Sequence, residues 1–294
     1  MVKTMKPSAE ITFLLRRDDP IPPQTWCDFH WVSSPFARSH AITRADCLVH
    51  DGFWHSDFRT TIQALRGAYV VISHPFGFPK DMRATVECFK RADRILVPWP
   101  AALFSWPRAL ATVVGKVCVI DPVLTLPPVR PYRFSEQKMI YAVASRDQKS
   151  VSTILDQLLE LSPIRDSDIA LTWRREFAPR DLHWQGMLQA SIIISQGTVT
   201  TFEAIALEVP RAILPLPGAD EQISLATELA SRGAAVYIDV EHVPQADLAD
   251  QIANLVTDES ERRVQIEKSR GLLGTQGAQR AAEIIVEAVE GVAG

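Results

Sequence analysis

With 294 residues, the chain is long enough for one large domain or two modest ones, either with a sizeable core. It is 47% hydrophobic and 22% charged, the composition of an ordinary globular protein. A formal net charge of -4 argues against nucleic acid as the main partner, and no apolar run approaches the roughly 20 residues of a membrane span. Met1 to Glu10 carries lysines without an apolar stretch, so no secretory leader is expected. Cys27, Cys47, Cys88 and Cys118 stand far apart with no CxxC pair, which suits reduced thiols in a cytoplasmic protein and speaks against zinc.

In chain order, Glu10 to Leu15 reads as a strand, and the proline-rich Asp18 to Pro23 as a loop. Cys27 to Val32 is a second short strand candidate, and Ala45 to His50 a better one. The loop Asp51-Gly52-Phe53-Trp54-His55 leads into an amphipathic helix ending near Arg66. Tyr69 to Ser73 is a buried strand followed by His74-Pro75-Phe76-Gly77. A helix from Asp81 to Arg91 then precedes the strands Arg94 to Val97 and Lys116 to Ile120. Strands alternating with helices predict a parallel sheet in a lean Rossmann-like domain.

Asp121 to Phe134 holds four prolines and shows no period, the character of a semi-rigid linker. The boundary is placed there, giving residues 1–125 and 126–294 as two domains. The second restarts with the strand Met139 to Val143, the turn Ala144 to Asp147 and a helix from about Ser150 to Leu161. A strand at Asp168 to Thr172 and a short helix at Leu182 to Ala190 follow. Then comes the densest stretch of the chain. Ser191 to Ile194 is a β-branched apolar run, Ser195 to Thr198 a turn, and Phe202, Ala206 and Leu207 mark one face of a helix. Pro210 ends that helix, Ala212 to Leu214 form another strand, and Asp220-Glu221-Gln222 sit on the next loop. Both polar clusters fall at the carboxyl ends of strands, where helix N-termini favour phosphate. Helices at Gln245 to Thr257, Glu259 to Leu272 and Gly277 to Val289 complete the chain.

The run Ser195-x-Gly197-Thr198-x-Thr200-x-x-Glu203, followed by Pro217-Gly218-Ala219-Asp220-Glu221-Gln222 and Arg232-Gly233-Ala234-Ala235, resembles the nucleotide-sugar half of GT-B glycosyltransferases. The families it is similar to are the N-acetylglucosaminyltransferases of lipid II synthesis and the nucleotide-sugar hydrolase of the pseudaminic acid pathway. The resemblance covers about fifty residues well and the C-terminal half loosely. It implies an α/β fold of two Rossmann-like domains, with a nucleotide-diphosphate sugar as substrate, no cofactor and no catalytic metal. It further implies that Glu203 grips the ribose hydroxyls, that Ser195, Gly197, Thr198 and Thr200 hold the diphosphate, and that Asp220, Glu221 and Gln222 meet the sugar. An acid near a helix start and threonines that cap it are also ordinary features of any helix.

Two departures stand out. Where the family continues with Asn-Ala, this chain has Leu225-Ala226, so the resemblance does not name the sugar. Ala144-Ser145-Arg146-Asp147 replaces a Gly-Gly-Ser loop, and Ser145 and Arg146 are candidates to meet the diphosphate there, since a guanidinium matches phosphate geometry. In the first domain no Gly-rich turn accompanies the first strand, so the opening strand–helix unit is either absent or altered beyond recognition. Its absence would leave a sheet edge that another subunit could cover; peripheral membrane association is a separate open reading. An inverting transfer needs a base, and Asp51 and His74, on the loops after two neighbouring strands, are the candidates. His30, His40, His183 and His242 have no supporting context. Three functions remain open: a glycosyltransferase with a UDP- or dTDP-sugar donor and an unidentified acceptor, a nucleotide-sugar hydrolase or epimerase, and a non-catalytic partner that keeps the fold.

Overall fold

The computed structural model describes residues 5, 9, 12–14, 30–32, 42–51, 62, 65–73, 87, 89–104, 108–127, 138–144, 148–173 and 180–292. They fall into two compact units, Met1–Val123 with Gln276–Gly294, and Leu124–Thr275. His74, Ser145 and Arg146 lie outside the described residues, as do Arg174, Arg175, the Asp18 to Pro23 loop and most of the helix expected from Asp81.

In the first unit, β1 (Thr12–Leu14) pairs in parallel with β2 (His30–Val32). A second parallel sheet runs in the order β3 (Cys47–Asp51), β4 (Ala68–Ile72), β5 (Arg94–Pro98) and β6 (Val117–Ile120). Its central strands are apolar at nearly every position, as strands covered on both faces require, and Val70 and Leu96 are fully buried. The chain's terminal helix, Gly277–Val292, packs across all four of these strands. Ile284 and Ala288 enter the cluster formed by Ala68, Val70, Leu96 and Ile120. Residues 276–294 group with the first compact unit, whereas the second domain expected from the sequence ran from 126 to 294. The physical reason is the amphipathic face, which announces that the helix is buried but not which sheet buries it.

The second unit holds β7 (Met139–Val143), β8 (Ala170–Trp173), β9 (Ile192–Ser195), β10 (Arg211–Ile213) and β11 (Val236–Tyr237), all parallel, in the order β8-β7-β9-β10-β11. Numbered along the chain this order is 2-1-3-4-5, a doubly wound sheet whose direction of growth reverses between β7 and β9. Helices α1 (Gln148–Leu159), α2 (Ser162–Arg165), α3 (Arg180–Gln189), α4 (Val199–Ala206), α5 (Asp220–Ser231), α6 (Gln245–Thr257) and α7 (Glu259–Ser269) surround it, and Gly277–Val292 becomes α8.

The period-two alternation of the strands divides the core. Ile140, Ala142, Ile192, Ile194 and Ala212 face α1, α2 and α6, meeting Val151, Leu155, Leu158, Ile164, Leu248 and Ile252. Tyr141, Val143 and Ile193 face the other way, towards Met187 of α3 and Ala204 of α4. Each such aliphatic side chain contributes roughly 1.5–3 kcal/mol by leaving water. Near the edge, Arg211 begins β10 one residue before β11 joins the sheet, so its backbone lacks a strand partner on that side. Gln265 of α7 substitutes: its Oε1 accepts from Arg211 N (2.6 Å) and its Nε2 donates to Arg211 O (3.0 Å). The buried guanidinium donates to Val209 O and Ser269 Oγ, and burial pushes it down to about 9, leaving it charged at neutral pH.

Candidate functional site

In an open α/β sheet, the crevice for ligands lies beyond the carboxyl ends of the strands where the order reverses. Here that point is the pair β7 and β9, in register at Val143 and Ser195. The chain leaves β7 through Ala144 towards residues 145–147, and leaves β9 through Gln196-Gly197-Thr198 into α4. The sequence motif therefore stands at the strand-order reversal.

The β9–α4 turn is set by Gly197, whose φ of 77° lies in the left-handed region. A Cβ there would also stand 3.3 Å from backbone and side-chain atoms of Gln222, so the turn and the first residues of α5 lie against one another. The missing side chain brings two helix N-termini together. Thr198 is the N-cap of α4, with its carbonyl accepting from Thr201 N and its side chain making no cap bond. The first turn of α4 carries no acid, whereas that of α5 carries Asp220 and Glu221. A phosphate suits the first helix start and repels the second; hydroxyl donors suit the second.

The remaining candidates are distributed as follows. Ser195 and Thr201 are buried with their hydroxyls 2.7 Å apart, tying the end of β9 to α4. Thr200 is buried beside them. Gln222 is buried, and its Oε1 accepts from Leu216 N (2.8 Å), holding the β10–α5 loop closed. Asp220 is exposed and Glu221 half-buried at the start of α5. In the first unit, Asp51 is the last residue of β3 and is in register with Ile72 of β4, so the segments leading away from Asp51 and towards His74 start from adjacent strand ends. Next to it, His50 Nδ1 is 3.1 Å from the Tyr69 hydroxyl.

Glu203 is only 4% exposed, and its Oε2 lies 3.3 Å from Nε2 of His183, itself 2% exposed. Nδ1 of the same ring stands 3.2 Å from the hydroxyl of Tyr141. Three elements, β7, α3 and α4, thus bring Tyr141, His183 and Glu203 into one buried polar chain. Gly186 makes this packing possible, because a Cβ there would lie 2.5 Å from the Tyr141 ring and push α3 off β7. The pairing of His183 with Tyr141 and Glu203 was not legible in the sequence. His183 and Tyr141 are 42 positions apart, and the only linear trace is a histidine where the buried face of a short helix calls for an apolar residue.

Among the described residues no three His, Cys, Asp or Glu side chains gather where they could hold a metal, and no helix is long and apolar enough to cross a membrane.

The two parallel-sheet units have the fold of the GT-B glycosyltransferases. MurG of Acinetobacter baumannii aligns with a TM-score of 0.64 at 14% identity, covering 97% of this chain and 93% of its own. CalG4, the calicheamicin glycosyltransferase, aligns with a TM-score of 0.56 at 15% identity, covering 99% and 93%. At such identities the likeness establishes the architecture alone. The particular kinship lies in the second half, where residues 177–285 match the glycosyltransferase family 28 C-terminal domain. Over 102 residues, 34% of this chain, it is 32% identical to the UDP-N-acetylglucosamine--N-acetylmuramyl-(pentapeptide) pyrophosphoryl-undecaprenol N-acetylglucosamine transferase of Paenarthrobacter aurescens (strain TC1). That match spans 27% of the relative's length. The second half therefore resembles the C-terminal domain of these transferases.

Proposed function

We propose that the chain is a glycosyltransferase whose second unit holds a UDP- or dTDP-sugar donor. The observation that carries the reading is the coincidence of the Gly197 turn, the α4 N-terminus and the strand-order reversal between β7 and β9. The diphosphate would meet N–H groups at the start of α4, with Thr198, Thr200 and the Ser195 turn around it, and Ser145 and Arg146 are proposed to meet it as well. Asp220, Glu221 and Gln222 would face the sugar, and Glu203 would accept from ribose hydroxyls at the pocket floor. The similarity of residues 177–285 to family 28 transferases supports glycosyl transfer in particular.

Chemistry at the anomeric carbon requires a base to take the proton of the attacking hydroxyl while the nucleoside diphosphate leaves with the glycosyl C–O electron pair. Asp51 and His74 are the proposed candidates for that base, and the α4 dipole would stabilise the departing phosphate without a metal. The test is a thermal-shift screen of UDP, dTDP, GDP and their common sugars. A ligand at a hundred times its dissociation constant stabilises the folded state by about 2.7 kcal/mol, a clear rise in Tm. A rise with one nucleotide family supports the donor site. No rise with any of them overturns it.

A further inference from the structure

We propose that His183 is a positioning residue for the donor nucleoside, presetting the Glu203 carboxylate to select a ribose over a 2′-deoxyribose, and so narrowing the UDP- or dTDP-sugar donor to the UDP-sugar. The inference rests on the reading of Glu203 as the ribose acceptor and goes beyond it by assigning the group that holds the acceptor in place.

The hydrogen-bond logic runs in one direction. An ionised carboxylate only accepts, so the hydrogen between His183 Nε2 and Glu203 Oε2 belongs to the imidazole. In the neutral ring this makes Nδ1 an acceptor, and the Tyr141 hydroxyl 3.2 Å away donates to it. Among the described residues, Tyr141 from β7 and Glu203 from α4 stand within hydrogen-bond distance of the ring. The neighbouring apolar cluster includes Met187 and Ala190 on the histidine's own side, Ile193 of β9 and Ala204 of α4. Tyr141 thus fixes the tautomer, and the tautomer fixes the carboxylate.

Holding the carboxylate matters because of where it is. A free glutamate side chain loses rotamer freedom when a ligand orders it. Glu203 is ordered before any ligand arrives, so a pair of ribose hydroxyls meets a preset acceptor. At 4% exposure, a carboxylate deprived of its imidazole donor loses the bond that holds its orientation. That loss falls on the ribose hydroxyls rather than on the phosphates.

The experiment is calorimetric titration of UDP and 2′-deoxy-UDP into the wild-type chain, His183→Phe, His183→Gln and Glu203→Gln. The wild type is expected to prefer UDP, and His183→Phe to lower that preference about tenfold, the size of one hydrogen bond to a charged group. His183→Gln, whose amide N–H can reach the same oxygen, is expected to restore most of it. Equal weakening of both ligands in His183→Phe, with the preference kept, overturns the inference and leaves His183 a packing residue. If Glu203→Gln abolishes the preference while His183→Phe does not, the positioning role falls alone. If the wild type does not distinguish the two ligands, or if Glu203→Gln keeps the wild-type preference, the ribose reading beneath it falls first. Should His183→Phe not fold, Tyr141→Phe makes the same comparison, with a loss of about threefold expected and none contradicting the role.

Discussion

The two faces of the second sheet are built from the same strands and differ in what they enclose. Residues 140, 142, 192 and 194 look onto a wholly aliphatic layer supplied by α1, α2 and α6. Residues 141, 143 and 193, one step along the same strands, look onto α3 and α4, where a tyrosine, a histidine and a glutamate are threaded through the packing. A buried polar chain contributes less to stability than the methyl groups it displaces, because each polar atom must first give up water. The first face therefore carries the fold, and the second combines packing with a placement of acceptors that aliphatic residues cannot provide.

Substitutions on the two faces should separate accordingly. The largest effect on stability is expected for Leu155→Ala on the aliphatic face, a loss of about 2–5 kcal/mol by chemical denaturation, with nucleotide affinity unchanged in the protein that remains folded. Unaltered stability would mean that the α1 layer is not the foundation assigned to it. Gly197→Ala comes next. The alanine must adopt a positive φ and pushes against Gln222, at a cost of about 1–3 kcal/mol, and the nucleotide-induced rise in Tm should vanish with it. A variant that still responds to nucleotide would show that the turn need not approach the ligand. The smallest effect is expected away from both faces, at Arg270→Ala. Its guanidinium pairs with Glu208 and Glu267 in solvent, where ion pairs are screened, so neither Tm nor nucleotide response should move.

Much of the second unit was legible in the sequence because its elements obey local rules. The run Ile192-Ile193-Ile194 is strand by composition, Gly197 by its turn, and α4 by its spacing; the observed strands differ from the expected ones by a residue or two at either end. What stayed hidden depends on pairing between distant segments. Gln265 reads as a surface glutamine of a polar helix until β10 is seen to lack a neighbour at Arg211. His183 reads as an isolated histidine until Gly186 lets α3 settle on Tyr141. The terminal helix shows its apolar stripe plainly, yet nothing in its own residues says that β3 to β6 rather than the nearer sheet will cover it. Of the candidate site, Gly197, Thr198 and Glu203 could be singled out in the sequence because they share one turn and one helix. The order of strands around that turn could not, since a sequence does not say on which side of β7 the chain returns.

The most direct test of the account is amide hydrogen exchange of the whole chain with and without saturating UDP. Protection is expected at the turn and helix start from Gln196 to Thr201 and across the loop from Leu216 to Gln222, with β8 and α6 unchanged. Protection confined to other segments, or none at those two while UDP is bound, would contradict the placement of the donor at the carboxyl rim of the second sheet.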